Sequence, residues 1–282
     1  MRSAWIVNLA LVLAVAGLGA YAWYRSNQPQ EPSHKLFALS TTAVKKIEVA
    51  RRDGAGYALE KRGETWFVVS PLDARADQTQ VQRLLDLLSA SSKEKLAATD
   101  LKRFDLDSPA LKITIDGQTF SFGTNNPLTQ EQYVSTGDGV YLVSAYYMSL
   151  IPNQADRLLT HSVLTPGEKP VGFAFKGFHV EQKEGKWTMV PEPAEKDRPS
   201  QDDLNRWADE WRFASSLLTR PWDGKAAGET VEVALADGKR IRFVVLRKEP
   251  ELILARPDEK LQFHFSSEVS QRLLQPTATK DK

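Results

Sequence analysis

The chain has no cysteine among its 282 residues. This absence excludes disulfide bonds, thiolate chemistry and metal sites built on cysteine ligands. An excess of charge of either sign is also lacking, because 37 Lys and Arg residues face 36 Asp and Glu residues and leave a formal net charge of +1. Proteins that bind nucleic acid usually carry a clear basic surplus, so we expect no nucleic-acid partner.

Known catalytic sequence motifs are missing too. The sequence contains no His-Glu-x-x-His, Walker-type glycine loop, Gly-x-Ser-x-Gly or dinucleotide-binding glycine fingerprint. His264 and Glu268 come closest to a pair of metal ligands, but a site needs at least one further ligand. Asp105 and Asp107 precede Pro109 in a segment typical of a turn, where aspartates bind local backbone amides. We therefore predict that the protein is not an enzyme and has no catalytic, cofactor-binding or metal-binding residue.

The N-terminal segment is long and apolar. Residues 4–23 contain one strongly polar side chain, Asn8, and the aromatic residues Tyr21, Trp23 and Tyr24 cluster at the far end. A helix of about 20 residues spans roughly 30 Å, the thickness of the apolar core of a bilayer, and aromatic side chains are enriched at the two bilayer interfaces. The sequence therefore predicts a transmembrane anchor over residues 1–25, followed by a polar, proline-containing tether over residues 26–40.

A cleaved signal peptide is the alternative, because Ala20, Tyr21 and Ala22 imitate a small-x-small cleavage site. The apolar run exceeds the roughly 7–15 residues of a signal peptide's hydrophobic region, which favours the uncleaved anchor. A short N-terminal tail ahead of a first apolar helix normally stays in the cytoplasm. We therefore expect a single-pass protein of the inner (cytoplasmic) membrane with its body in the periplasm.

The remainder of the chain repeats one pattern of elements twice. A hairpin strand carries Trp66 in the first half and Trp187 in the second. Each is followed by a predicted helix that opens on a good N-cap residue, Asp77 or Ser200. Apolar residues recur at helical spacing on one face of both helices: Val81, Leu84, Leu85 and Leu88 in the first, and Leu204, Trp207, Ala208 and Trp211 in the second.

Two hairpins and a short helix complete each copy. Alternating apolar residues flank an Asp-Gly turn at residues 116–117 and again at 237–238, which is a strong hairpin signal. Second hairpins are predicted over 132–144 and 252–265, and terminal helices over 146–150 and 268–274. The sequence therefore predicts an α+β fold of two tandem, duplicated modules, each with a mostly antiparallel sheet and one main helix. The first module covers residues 41–151 and the second covers residues 171–275. The linker between them covers residues 152–170 and contains a helix-like stretch at 154–159, and a disordered tail covers residues 276–282.

The order of these elements resembles the DUF4340 family, a bacterial family of uncharacterised, membrane-anchored envelope proteins whose genes often neighbour those of gliding-motility-type ABC transporters. The likeness is strongest over the first module. Family members usually carry an aromatic-Gly-Leu-x-x-Pro segment where this chain has Phe104, Asp105, Leu106 and then Pro109, so a different turn is expected there. The family brings no established catalytic residues, and none is carried over.

These features lead to one main hypothesis and two alternatives. The main hypothesis is a non-enzymatic, membrane-anchored accessory or scaffold protein of the bacterial envelope, which the resemblance associates with an ABC transporter complex. The first alternative is a binding module for a glycan, lipid or peptide that uses the groove between the modules, and the second is a hydrolase. Trp222 follows Pro221 in a predicted loop and is the aromatic residue that we predict to contact a partner or ligand, whereas Trp207 and Trp211 belong to the predicted core.

Overall fold

The computed structural model describes residues 2–26, 33–37, 39–225 and 228–279, and in the first of these ranges it describes the side chains of residues 8–24. The chain begins with helix α1 (Arg2–Ser26), whose large apolar side chains from Leu9 to Tyr24 are exposed. Within the described residues, no helix is both long enough and apolar enough to cross a membrane. Residues 27–32 and residue 38 of the predicted tether lie outside the described residues.

The first sheet contains nine antiparallel strands and is preceded by a two-residue strand, β1 (His34–Lys35). In chain order the following strands are β2 (Lys46–Arg51), β3 (Gly56–Arg62), β4 (Thr65–Ser70), β5 (Ala74–Arg75), β6 (Ser91–Ser92), β7 (Lys95–Leu96), β8 (Leu111–Ile115), β9 (Gln118–Asn125), β10 (Gln132–Thr136) and β11 (Gly139–Val143). Across the sheet the order is β5-β4-β3-β2-β8-β9-β10-β11-β7, while β6 pairs with β1 separately. Helix α2 (Gln78–Leu85) follows β5, and α3 (Tyr146–Ser149) follows β11.

The second sheet contains eight antiparallel strands. They are β12 (Pro170–Ala174), β13 (His179–Lys183), β14 (Lys186–Val190), β15 (Leu218–Pro221), β16 (Glu229–Leu235), β17 (Arg240–Arg247), β18 (Leu252–Arg256) and β19 (Leu261–Phe265). Across the sheet the order is β14-β13-β12-β16-β17-β18-β19-β15. Helix α4 (Gln201–Arg212) lies between β14 and β15 in the chain, and α5 (Ser267–Leu274) follows β19.

The strand order of the second sheet repeats that of the first, position by position, except that the first sheet has β5 as an additional edge strand. The two predicted Asp-Gly hairpins are confirmed, because Gly117 joins β8 to β9 and Gly238 joins β16 to β17. Both glycines have a positive φ, 87° and 84°, which glycine adopts without steric cost. The α+β class with mostly antiparallel sheets is confirmed as well.

The main helix of each module begins at its predicted cap. The Asp77 side chain accepts a hydrogen bond from the N–H of Gln80. Ser200 and Asp203 form a capping box, in which each side chain accepts from the backbone N–H of the other residue. All eight residues predicted for the two apolar helix faces are buried and belong to one continuous hydrophobic core that includes both sheets. These helix predictions are confirmed.

The linker makes backbone hydrogen bonds with both modules. Its helix-like stretch is a single 3-10 turn (Ala155–Leu158), which packs against β4 of the first sheet and β15 of the second. The N–H of Thr160 donates to the carbonyl of Arg75 in the first module, and the N–H of Ser216 in the second module donates to the carbonyl of His161. The linker is therefore a packed part of the body that joins the two sheets.

Two predicted loose segments make specific contacts. In the predicted tether, β1 pairs with β6, and Phe37 is buried with its ring centroid 4.0 Å from that of Phe120. In the predicted disordered tail, the hydroxyl of Thr279 donates to Oδ1 of Asp203 at 2.6 Å and Pro276 is buried. The sequence did not indicate these contacts, because the partners lie far away in the sequence and leave no local pattern. Residues 280–282 of the tail lie outside the described residues.

Candidate functional site

A buried ion pair joins the two modules beside the linker. Arg75 on β5 makes a bidentate pair with Glu259, in the turn between β18 and β19, with Nε–Oε1 and Nη2–Oε2 distances of 2.5 and 2.9 Å. The Arg75 and Glu259 side chains are 8% and 13% exposed. Nη2 of Arg75 also donates to the carbonyl of Ser162 in the linker at 2.8 Å. Because bidentate pairs have a defined geometry, this pair sets the position of the β18–β19 hairpin relative to the first module.

A second buried arginine, Arg256 on β18, extends this network. Its Nη1 and Nη2 donate to the two carboxylate oxygens of Glu168 at 2.9 and 2.7 Å, and Nη1 donates to the carbonyl of Val163 at 2.7 Å. Burial acts to raise the pKa of Glu168, but the hydrogen bonds from Arg256 and from the Thr165 N–H, together with the charge of Arg256, outweigh burial and hold that pKa below its ordinary value of 4.5. The ionised form of Glu168 is therefore the one that the fold stabilises.

We expect Glu168→Gln to lower the free energy of unfolding near neutral pH and to matter less in acid. The pKa of Glu168 is lower in the folded chain, so its contribution is complete above about pH 4.5 and is lost as the pH falls through the folded-state pKa. Urea denaturation of the native chain and the variant over a series of pH values measures the difference. A difference that stayed constant down to the acid end of the series would contradict this assignment.

An open groove of about 1010 Å³ lies between the two modules. Helix α2 and the segment after α3 line it from the first module, the 3-10 turn lines it from the linker, and β15 lines it from the second module. The polar and charged residues of its lining are Gln80, Arg83, Ser149, Asn153, Gln154, Asp156, Arg157, His161, Thr219 and Arg220. The groove therefore depends on the relative position of the modules that the buried ion pairs fix.

Positive charge exceeds negative charge in the groove. Arg83, Arg157 and Arg220 are exposed there, and Asp156 is the one acidic residue among the described lining residues. Within the part of the chain that the structure describes, these three arginines have no ion pair, hydrogen bond or ring contact through their side chains. A free guanidinium offers a planar fork of donors that matches carboxylate and phosphate oxygens. The groove is thus suited to an anion.

His161 is held at the groove in one ring orientation. Its Nδ1 lies 2.9 Å from the carbonyl oxygen of Ser216. Because a carbonyl oxygen only accepts, Nδ1 must carry the proton. Among the described residues, Nε2 of His161 has no hydrogen-bond partner, so this atom is available to a ligand.

Trp222, which we predicted from the sequence as a contact residue, lies immediately after β15 but does not line the groove. Its backbone N–H donates to the carbonyl of Lys260 at 2.7 Å, and its side chain is half-buried. The indole Nε1 is buried and has no acceptor among the described residues, although buried indole N–H groups usually find one. The contact role of Trp222 stays a prediction.

His264 and Glu268, the closest approach to a pair of metal ligands in the sequence, each lie beside another charged residue. Nδ1 of His264 lies 3.5 Å from Oε2 of Glu251, whereas Glu268 approaches Arg272 at 4.0 Å. Burial of the ring holds the pKa of His264 below its ordinary value, and the nearby positive charges of Arg220 and of Arg247 on β17 act in the same direction. The described residues contain no group of three or more histidine, aspartate or glutamate side chains that could hold a metal ion.

The profile of the domain of unknown function DUF4340 matches residues 66–220, which is more than half of the chain. The chain belongs to the DUF4340 family. No curated protein and no solved structure matches it significantly. In this DUF4340 protein the match runs from β4 to β15 and includes every residue that lines the groove, whereas Glu259 and Trp222 lie beyond it.

Asp105 lies in the segment where we expected a different turn. It adopts φ 58° and ψ 34°, a left-handed conformation that glycine favours and aspartate tolerates. Its carboxylate pairs with Arg52 at 2.9 Å, and Asp107 accepts a hydrogen bond from the N–H of Ser108. The backbone here therefore has a conformation that a glycine could also adopt.

Proposed function

We propose that this DUF4340 protein is a non-enzymatic accessory or scaffold protein, anchored in the inner membrane with its body in the periplasm, that binds a membrane complex. We expect that complex to be an ABC transporter. The observation that carries the proposal is a set of three exposed apolar residues in, or just before, the edge strand β15. We call these residues, Phe213, Leu217 and Leu218, the β15 patch.

The β15 patch exposes large apolar side chains where a strand could be added. Phe213, Leu217 and Leu218 are 69%, 75% and 39% exposed. Strand β15 pairs with β19 on one side, and no described strand pairs with its other edge. Grouped exposed apolar residues mark interaction sites, and an open edge offers backbone donors and acceptors to a partner strand. The patch therefore fits a partner that contributes an apolar extended segment.

The corresponding edge of the first sheet is protected. There β7 has two residues, and the Lys95 side chain pairs with Asp138 at 2.6 Å. Short edge strands and edge lysines are common devices against strand addition. The contrast between the two edges supports a specific docking role for β15. The matching strand orders of the two sheets also support an origin of the two modules by duplication. In this proposal the edge at β15 remained without a neighbouring strand.

Helix α1 supports the membrane anchor in this proposal. No helix of the described residues is both long enough and apolar enough to cross a membrane, so the anchor is proposed from the apolar run of residues 4–23 in the sequence. The exposed apolar side chains of α1 present a surface that a bilayer would bury. Such an anchor would hold the body close to the membrane-embedded subunits of a complex.

Gentle detergent extraction of the full chain with a C-terminal tag, followed by mass spectrometry, tests the proposal. We expect permease and ATPase subunits to co-purify in near-stoichiometric yield, and the intact mass to include residues 1–25. Purification of a solitary protein would overturn the docking role. A mature chain beginning near Ala22 would replace the anchor by a cleaved signal peptide.

Leu217→Asp is expected to lower the yield of the co-purified complex at least tenfold. The substitution places a charge in the centre of the β15 patch, and the loss of a central interface residue costs about 2 kcal/mol or more. Leu128→Asp is the matched control, because Leu128 is 91% exposed in the first module, between β9 and β10. Similar losses in the two variants would argue against docking at this patch.

A further inference from the structure

Arginine side chains in this protein are usually partnered. Arg52 and Arg240 pair with carboxylates, and Arg212 lies over an aromatic ring. Among the arginines whose side chains the structure describes, four have no ion pair, hydrogen bond or ring contact: Arg83, Arg157, Arg220 and Arg242. Three of these four line the groove between the modules. Unpartnered arginines are therefore concentrated at one place.

The groove gathers these three charges from separate parts of the fold. Helix α2 supplies Arg83, the linker turn supplies Arg157, and β15 supplies Arg220. With Asp156 as the one carboxylate among the described lining residues, two positive charges remain in excess, although the whole chain has a formal net charge of only +1. Charges of one sign that line a concave surface focus the field there and raise the local concentration of oppositely charged ligands.

Neutral donors accompany the arginines. The side chains of Gln80, Asn153 and Gln154 line the groove, and within the described chain their amide groups make no hydrogen bond. A ligand with several oxygen acceptors could therefore bind charged and neutral donors at the same time.

We infer that the groove binds a ligand with at least two negative charges on phosphate or carboxylate oxygens. Arg83, Arg157 and Arg220 bind these oxygens from three sides, and the amide groups complete the recognition. The inference does not rest on docking at the β15 patch, because Phe213 and Leu217 lie outside the groove and only Leu218 belongs to both surfaces. The two proposals can therefore fail separately.

Titration calorimetry on the full chain in an uncharged detergent tests the inference. One arm uses inorganic pyrophosphate as a soluble oxyanion, and the other uses dihexanoyl phosphatidic acid as a short-chain phospholipid. We expect saturable binding in at least one arm. Binding of both probes assigns the site to the oxyanion group itself, and binding of the phospholipid alone assigns it to a lipid headgroup. The absence of saturable binding in both arms would overturn the inference.

Single substitutions locate the site. Arg83→Gln, Arg157→Gln and Arg220→Gln are each expected to weaken binding about tenfold, because each removes a hydrogen bond between charged groups. Arg242→Gln is the matched control, since Arg242 is also exposed and has no side-chain partner among the described residues but lies on β17, outside the groove. Circular dichroism confirms that the variants are folded. Equal weakening by Arg242→Gln, or no weakening by any groove variant, would mean that the probe binds elsewhere and would refute the site.

Discussion

Glu259→Ala is expected to lower the free energy of unfolding by about 3–5 kcal/mol. The substitution removes the carboxylate that pairs with Arg75 and leaves a buried guanidinium with the linker carbonyl groups as its remaining partners. The cost arises mainly from this uncompensated buried charge rather than from the lost attraction. Chemical denaturation followed by tryptophan fluorescence measures the effect.

An exposed ion pair in the second module supplies the control. Glu181 pairs with Lys183 at the surface of β13, and Glu181→Ala is expected to change the free energy of unfolding by about 1 kcal/mol at most. If Glu259→Ala also fell within that range, the Arg75–Glu259 pair would not hold the modules together.

A double variant separates the two contributions to the loss of stability, which are the uncompensated buried charge and the lost attraction between the two charges. Arg75→Met combined with Glu259→Leu removes both charges and keeps apolar bulk at the contact. Replacing a complete buried pair by apolar residues is often neutral or stabilising, so we expect this variant to recover most of the lost stability. The groove should keep its anion affinity in the double variant and lose part of it in Glu259→Ala, because its lining comes from both modules.

Local sequence signals were sufficient for most of the secondary structure. The Asp-Gly turns at Gly117 and Gly238, the caps at Asp77 and Ser200, and the buried faces of α2 and α4 follow from rules that act over a few residues. Most neighbouring strands are consecutive in the chain and joined by short turns, as expected. The pairs β2–β8, β7–β11, β12–β16 and β15–β19 join strands that are far apart in the chain.

Contacts between distant segments were not predictable in the same way. Arg75 and Glu259 lie 184 residues apart in the sequence, and Asp203 and Thr279 lie 76 residues apart. Strand β1 is two residues long, which is too short for any alternation of apolar and polar residues to appear. Single charged or polar residues in loops have many possible partners, and the sequence does not select among them.

The sequence predicted a groove between the modules, but it did not predict which residues line the groove or that they are positively charged. Two tandem modules implied a cleft between them, and the expected ligands included glycan, lipid and peptide. Each of Arg83, Arg157 and Arg220 is a lone arginine on its own element, and no spacing rule links the three. Their lack of partners becomes visible only when every carboxylate near them has been placed.

Trp211→Ala is expected to lower the free energy of unfolding by about 3–5 kcal/mol. The Trp211 ring is fully buried, with ring centroids 5.7 Å from Phe173 and 5.6 Å from Phe243. Its Nε1 donates to the carbonyl of Leu273 at 2.9 Å, which lies in the last turn of α5 where carbonyl groups lack partners within the helix. The substitution would leave a large cavity and also loosen α5. Urea denaturation of the native and variant chains measures the loss.

Trp222→Ala is the informative comparison, because the same chemical change is made at a half-buried loop residue. If Trp222 contacts a partner or ligand, we expect its replacement to cost about 1 kcal/mol or less in stability, while the yield of the co-purified complex or the affinity for the anion falls. A stability loss comparable to that of Trp211→Ala, with binding unchanged, would make Trp222 a packing residue.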